Sequence, residues 1–158
     1  MARRGIRTWL YRIPLFLRRA GVRGYERILG IEWIALTTRG RRSGRPHEVV
    51  LDVIGRDATT DTWYVSPANG RRSEWVRNVA ADPAVTIEAG RRRVAGRARD
   101  ATGAEGAEVF FRFVRGHPRY ARLVARLVGF ADMSDASDEE LRAYGRDVIV
   151  IALTPTAG

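Results

Sequence analysis

A chain of 158 residues, 45% hydrophobic and 29% charged, has the size and balance of one globular domain, able to bury roughly two-thirds of its unfolded surface. It holds no cysteine and two histidines, His47 and His117, which excludes disulfides, thiolate metal sites and cysteine nucleophiles and argues against zinc. The net charge of +10 is carried by arginine, with no lysine, and is unevenly placed: residues 1–45 hold twelve arginines against Glu26 and Glu32, and beyond them the charges balance. That distribution points to a local basic face rather than a surface coated for nucleic acid.

In chain order, residues 3–20 read as a basic amphipathic helix. Ile6, Trp9, Leu10, Ile13, Phe16, Leu17 and Ala20 recur at helical spacing among Arg4, Arg7, Arg12, Arg18 and Arg19, with a kink or break at Pro14. No apolar run approaches the ~20 residues needed to span a bilayer. Such a helix either lies on an anionic membrane surface or covers an open end of the domain, and the second is the simpler role. Residues 1–30 are therefore set apart as an N-terminal segment, and residues 31–155 as the domain proper.

Two extended runs follow, Ile31–Thr38 and His47–Arg56, joined by Arg39-Gly40-Arg41-Arg42-Ser43-Gly44-Arg45-Pro46. A short connection this rich in arginine and glycine suits an anion, because turn amides form a concave nest and guanidinium forks match phosphate or carboxylate. The plain alternative is a solvated hairpin tip. It is not a phosphate loop of the Walker type, whose spacing and Gly-Lys-Ser/Thr ending are absent.

Residues 57–60 read as a turn and Thr62–Ser66 as a third strand. A second donor-rich turn, 67–72, leads to Ser73, an N-cap for a helix Glu74–Ala81 that Asp82-Pro83 stops. Ala84–Glu88 and Arg91–Arg99 form a hairpin around Ala89-Gly90, with Arg91, Arg92 and Arg93 on a solvated edge. Residues 103–128 are helical in pattern, broken near Pro118. Ser137-Asp138-Glu139-Glu140 opens a short helix with a capping box, and Asp147–Leu153 is the last strand. Six strands, paired early as hairpins with helices inserted, predict an α+β fold built on a mainly antiparallel barrel, without the strand–helix alternation of a Rossmann fold.

If the first and third strands lie near one another, both donor-rich loops share a rim and can hold a multiply anionic ligand. Trp75, one turn into the helix, offers a flat surface for a ring, although core anchor is the commoner role for such a residue. Asn78 reaches the same ligand or only solvent. No Ser/His/acid set is apparent.

The blocks Leu36–Pro46, Tyr64–Gly70, Trp75–Val79 and Asp82-Pro83, in that order and spacing, resemble the deazaflavin-dependent nitroreductase family over residues 31–100, with a weaker match at residues 147–155. The resemblance implies a six-stranded split β-barrel that binds coenzyme F-420. It implies that Arg41, Arg42, Ser43, Gly44, Arg45 and Pro46 meet the coenzyme's phosphate and acidic tail, with Leu36 and Thr37 on the strand beneath. Tyr64, Val65, Ser66 and Pro67 fall in the ring region, and Trp75, Val76 and Asn78 line the same pocket. Pro67 stands where the family often has lysine, Asn69 where it has glycine, and Arg42 where lysine is common. Of the tyrosines that face the acceptor in the family, Tyr144 and Tyr120 are the only counterparts.

The expected activity is hydride transfer from reduced F-420 to a quinone, nitroaromatic or conjugated enone. The coenzyme supplies the redox chemistry, and Ser66 or Tyr144 is the expected proton donor. An FMN-binding split barrel is one alternative; a non-catalytic protein whose basic arm touches lipid or nucleic acid is another, with nucleic acid disfavoured because aromatics do not interleave with the basic run. The chain is expected in the cytoplasm, peripheral on the inner face of the membrane through residues 3–20, with a homodimer as a further expectation.

Overall fold

The computed structural model describes residues 27–28, 30–129 and 131–157; the basic helix expected at 3–20 lies outside them. Seven strands appear: β1 (Arg27–Ile28), β2 (Ile31–Arg39), β3 (Pro46–Asp57), β4 (Thr62–Val65), β5 (Ala84–Ala89), β6 (Arg92–Asp100) and β7 (Ile151–Pro155). All pair antiparallel, in the order β1-β2-β3-β4-β7-β6-β5, and β5 returns to β2. Strands β2 to β7 thus close a six-stranded barrel, and the short β1, absent from the sequence expectation, adds to β2 alone. Four helices flank it among the described residues: α1 (Glu74–Ala81), α2 (Ala104–Gly116), α3 (Pro118–Val128) and α4 (Asp138–Gly145).

Strand alternation sends side chains to two separate apolar clusters. Ile34, Leu36, Leu51, Val53, Trp63, Val65, Ile87 and Leu153 fill the barrel, joined by Trp75, Val76 and Val79 from α1. Trp33, Ala35, Val50, Ile54, Tyr64 and Ala152 lie on the outer wall with Phe113 and Val114 of α2, Tyr120 of α3 and Leu141 of α4. On β3 the register slips between Val53 and Gly55, leaving Ile54 as a bulge. Gly55 faces α2: a Cβ there would stand 2.7 Å from a Val109 methyl. Only glycine lets the helix come this close to the strand.

Several expectations hold in detail. Helix α1 spans the predicted residues, α3 opens on Pro118, where the missing N–H costs nothing, and α4 carries the full Ser137–Glu140 capping box. Three need correction. The last strand begins at Ile151, not Asp147. The amides of Asp147 and Val148 close a turn on the carbonyls of Tyr144 and Gly145, and Val150 bonds to Thr102 and Ala101 ahead of the barrel. The β5–β6 turn is Gly90-Arg91, one residue later than expected, since Ala89 still pairs with Arg92. Nor are the arginines there simply solvated: Arg93 pairs with Glu88 at 3.1 Å. Arg92 and Arg56 both hold Asp61 and lie over the Trp63 ring.

Candidate functional site

The loop between β2 and β3 is tightly built. The Gly40 amide donates to the Arg45 carbonyl at 2.8 Å and the Gly44 amide to the Gly40 carbonyl at 2.7 Å. Ser43 Oγ accepts from the Arg45 amide. Gly44 has φ 67°, a conformation glycine adopts without penalty, and a Cβ on Gly40 would lie 2.6 Å from Ser43 Oγ. Among the described residues, the amides of Arg42 and Ser43 have no partner inside the fold, and the side chains of Arg42 and Arg45 make no ion pair. Residues 42 to 46 are all exposed. The tip is a cluster of free donors on a rigid backbone.

Arg41 behaves differently from its neighbours. Its guanidinium donates to Glu74 Oε2 at 2.7 Å and to Asn78 Oδ1 at 3.2 Å, and its amide donates to the same Asn78 oxygen. Asn78 is buried and, through Nδ2, donates to Thr38 Oγ1 at 3.1 Å. Arg41 and Asn78, both expected to face the ligand, therefore fasten the loop to α1. Strands β2 and β4 are not neighbours, since β3 lies between them. Helix α1, and not strand adjacency, brings the segment after β4 up to the loop. The Arg41 guanidinium holds the Glu74 carboxyl below its ordinary pKa, chiefly by hydrogen bonding.

That segment, 66–73, also forms one wall of a cavity of about 330 Å³. Ser66, Pro67 and Ala68 face Phe110 and Phe113 of α2, Val124 of α3, Met133, Tyr144 of α4 and Val148 across it. Ser66 and Tyr144, both proposed from sequence as proton donors, line the same space. The Ser66 hydroxyl donates to the Ile149 carbonyl at 2.8 Å, so its proton is already committed. Tyr144 packs on Phe110 with ring centroids 5.7 Å apart. Leu36, Val65, Trp75 and Val76 point into the barrel core instead; Trp75, 4% exposed, is an anchor there. Tyr64 lies on the outer wall, with its hydroxyl on Glu105 at 2.9 Å. Thr37 is half-buried on β2, and Pro46 opens β3 at the exposed end of the loop.

One residue of the cavity was passed over in the sequence. Asp52 lies within the run 49–54, which reads as apolar, and a single acid there was the available signal. It is 8% exposed and lines the cavity beside Ile54. Tyr120 Oη donates to its Oδ2 at 3.0 Å, and among the described residues no arginine pairs with it. Burial pushes its pKa up, against the opposing pull of the Tyr120 hydroxyl and its own amide.

A model of the F420H(2)-dependent quinone reductase family matches residues 11–127. The chain belongs to that family. It is an F-420-dependent reductase, and F-420 is its coenzyme. No curated protein matches the chain in sequence. Among solved structures it resembles an F420-H2 dependent reductase (FDR-A), at 20% identity and TM-score 0.52, over 77% of this chain and 92% of the other. A pyridoxamine 5′-phosphate oxidase-related FMN binding protein from Nostoc punctiforme aligns at 16% identity and TM-score 0.52, over 93% and 80%. A structure described as a domain-swapped dimer aligns at 19% identity and TM-score 0.52, over 92% and 97%. At these identities the likeness fixes the fold, a split barrel.

The residues present suit such a coenzyme. An acidic tail needs exposed donors, which Arg42, Arg45 and the loop amides supply. A flat apolar ring needs a concave, mostly apolar space, and the aromatic-lined cavity is a short segment away. Among the described residues no helix is long and apolar enough to cross a membrane.

Proposed function

We propose that this reductase passes a hydride from reduced F-420 to a quinone bound in the cavity between the outer barrel wall and α2 to α4. The coenzyme, when bound, supplies the two-electron chemistry. The chain's own part is to bind, orient and exclude water. Arg42, Arg45 and the free amides of Arg42 and Ser43 hold the anionic tail, while Arg41, Asn78 and Thr38 keep the loop in shape. Ser66 to Ala68 carry the ring region, and Phe110, Phe113, Val124 and Met133 give the acceptor an apolar wall.

The observation that carries this reading is the single segment 66–78. One end lines the apolar cavity, and the other, through Glu74 and Asn78, ties down the donor loop. A quinone is preferred to a nitroaromatic or an enone because the cavity wall is largely aromatic and aliphatic, which favours a flat apolar acceptor. Residues 3–20 are proposed to rest on an anionic membrane face from the cytoplasmic side, where lipid-soluble quinones reside, and a homodimer is compatible with the fold's relatives. Vesicle binding unchanged by deletion of residues 1–20 would remove the membrane part of the proposal.

The test of the main reading is competitive. The protein is titrated with F-420 and with FMN, following tryptophan fluorescence, and oxidation of reduced F-420 is then followed with menadione, a nitrofuran and cyclohexenone. F-420 is expected to bind and menadione to be turned over fastest. Tight FMN binding without F-420 binding would overturn the proposal, and preference for the nitrofuran or the enone would overturn its choice of acceptor.

A further inference from the structure

A quinone needs more than a hydride to become a hydroquinone: it must also receive a proton, and the cavity wall holds one acid placed to give it. We infer that Asp52, held by Tyr120, hands that proton to the acceptor's oxygen. This rests on the acceptor lying in the cavity, as proposed above. The residues named from sequence for this task are less suited to it. Ser66 already donates to the Ile149 carbonyl, and an aliphatic hydroxyl is a poor acid. Tyr144 stands across the cavity against Phe110.

The geometry of β3 places Asp52 there. Alternation along the strand sends Leu51 and Val53 into the barrel and Asp52 to the outer wall, where Trp33 stands opposite it in the β2–β3 register. On a bare sheet that face would be wet. Here α2 and α3 cover it, so Asp52 is an acid under an apolar lid with its carboxyl in the cavity wall. Buried carboxyls without a cationic partner keep their proton, since the charged form loses its hydration. The titratable groups around it are few. Tyr120 reaches it from α3, Tyr144 lines the cavity from α4, and Asp147 is exposed at the cavity edge. Among the described residues, no arginine lines the space.

The step balances without a further reagent. The hydride carries two electrons and one hydrogen to the quinone from the reduced coenzyme, which is thereby oxidised. The second quinone oxygen forms its O–H bond with the proton from Asp52, leaving a carboxylate. Because Oδ2 accepts from Tyr120, Oδ1 is the atom that carries the proton, and the Tyr120 hydroxyl then stabilises the anion left behind. Water at the open edge restores the proton before the next turnover. The pairing resembles general acids elsewhere, whose pKa is moved toward neutrality by an apolar setting.

Two measurements test this separately from the function itself. Carbon-13 NMR of the coenzyme-free protein, with labelled aspartate, should show one carboxyl that titrates well above the others and is missing in Asp52→Asn. With reduced F-420 and menadione, Asp52→Asn should lower kcat about a hundredfold with little change in KM. It should also flatten the profile in which wild-type kcat falls as pH rises. Tyr120→Phe keeps the acid but removes the bond that favours its anion, so the titration and the falling limb should both move to higher pH. This variant decides the matter should Asp52→Asn fail to fold. An Asp52 that titrates with the surface aspartates, or an Asp52→Asn enzyme with wild-type kcat and pH profile, would overturn the inference. Absence of F-420 binding would instead sink the function proposed above, leaving the NMR result to stand by itself.

Discussion

The loop at 40–46 and the cavity behind Ser66 meet the same segment from opposite sides, and they treat charge in opposite ways. The loop leaves Arg42 and Arg45 unpaired and exposed on a backbone held rigid from below. The cavity keeps a lone carboxyl out of water and surrounds it with aromatic and aliphatic side chains. Exposed cations on a fixed frame suit capture of an anion that arrives from solvent. A buried acid without a counter-ion suits transfer of a proton, because its charge is costly in that setting. Binding and chemistry thus fall to different parts of one wall.

The sharpest way to break the comparison is to remove what holds the loop. Asn78→Leu strands the Arg41 amide and the Thr38 hydroxyl, and should lower stability by about 2–3 kcal/mol, read from the urea midpoint. Coenzyme affinity should fall with it. An unaffected affinity would mean that the loop does not need its frame.

Next in size, Arg42→Ala combined with Arg45→Ala should weaken F-420 binding by about tenfold or more and reduce its salt dependence, without shifting the urea midpoint. Equal weakening by Arg41→Ala would still fit, but that variant should also cost stability, since its side chain is tied to Glu74 and Asn78.

The cavity side is tested by pH. A raised Asp52 pKa means that the folded protein holds a proton the unfolded chain has lost, so this residue's contribution is fully present in acid. It is lost as pH rises from the ordinary aspartate range through the folded value. Asp52→Asn should therefore gain on the wild type in thermal stability as pH rises, and the two should converge near pH 4.

The smallest effect belongs to the surface. Arg99 and Glu105 form a two-pronged pair at 2.8 Å, and Arg99 holds the Glu105 carboxyl below its usual pKa. Being partly exposed, the pair should contribute under about 1 kcal/mol. The loss in Arg99→Ala should be seen above the ordinary glutamate pKa and should fade as pH falls through the lowered one.

Much of the frame was legible from residues alone because local chemistry dictates it. Alternation marked the strands, Pro118 and Asp82-Pro83 marked helix limits, and Ser137 with Glu140 marked a capped start. The donor loop announced itself by composition. What could not be read was contact between distant segments. Nothing near Asn78 says that its amide spans Thr38 and Arg41, since those partners lie 37 and 40 residues away. Asp52 reads as an outward polar residue until α2 and α3 are laid over it. The late start of β7 arises similarly, from bonds between 147–150 and the ends of α4 and α2 that no periodicity encodes.

The central claim is that one coenzyme spans both regions, its tail on the loop and its ring at the cavity. Hydrogen–deuterium exchange with and without F-420 tests it most directly. The account predicts added protection at residues 40–46 together with 66–70 and 147–149, and little elsewhere in the barrel. Protection confined to the loop, with the cavity segments unchanged, would contradict it.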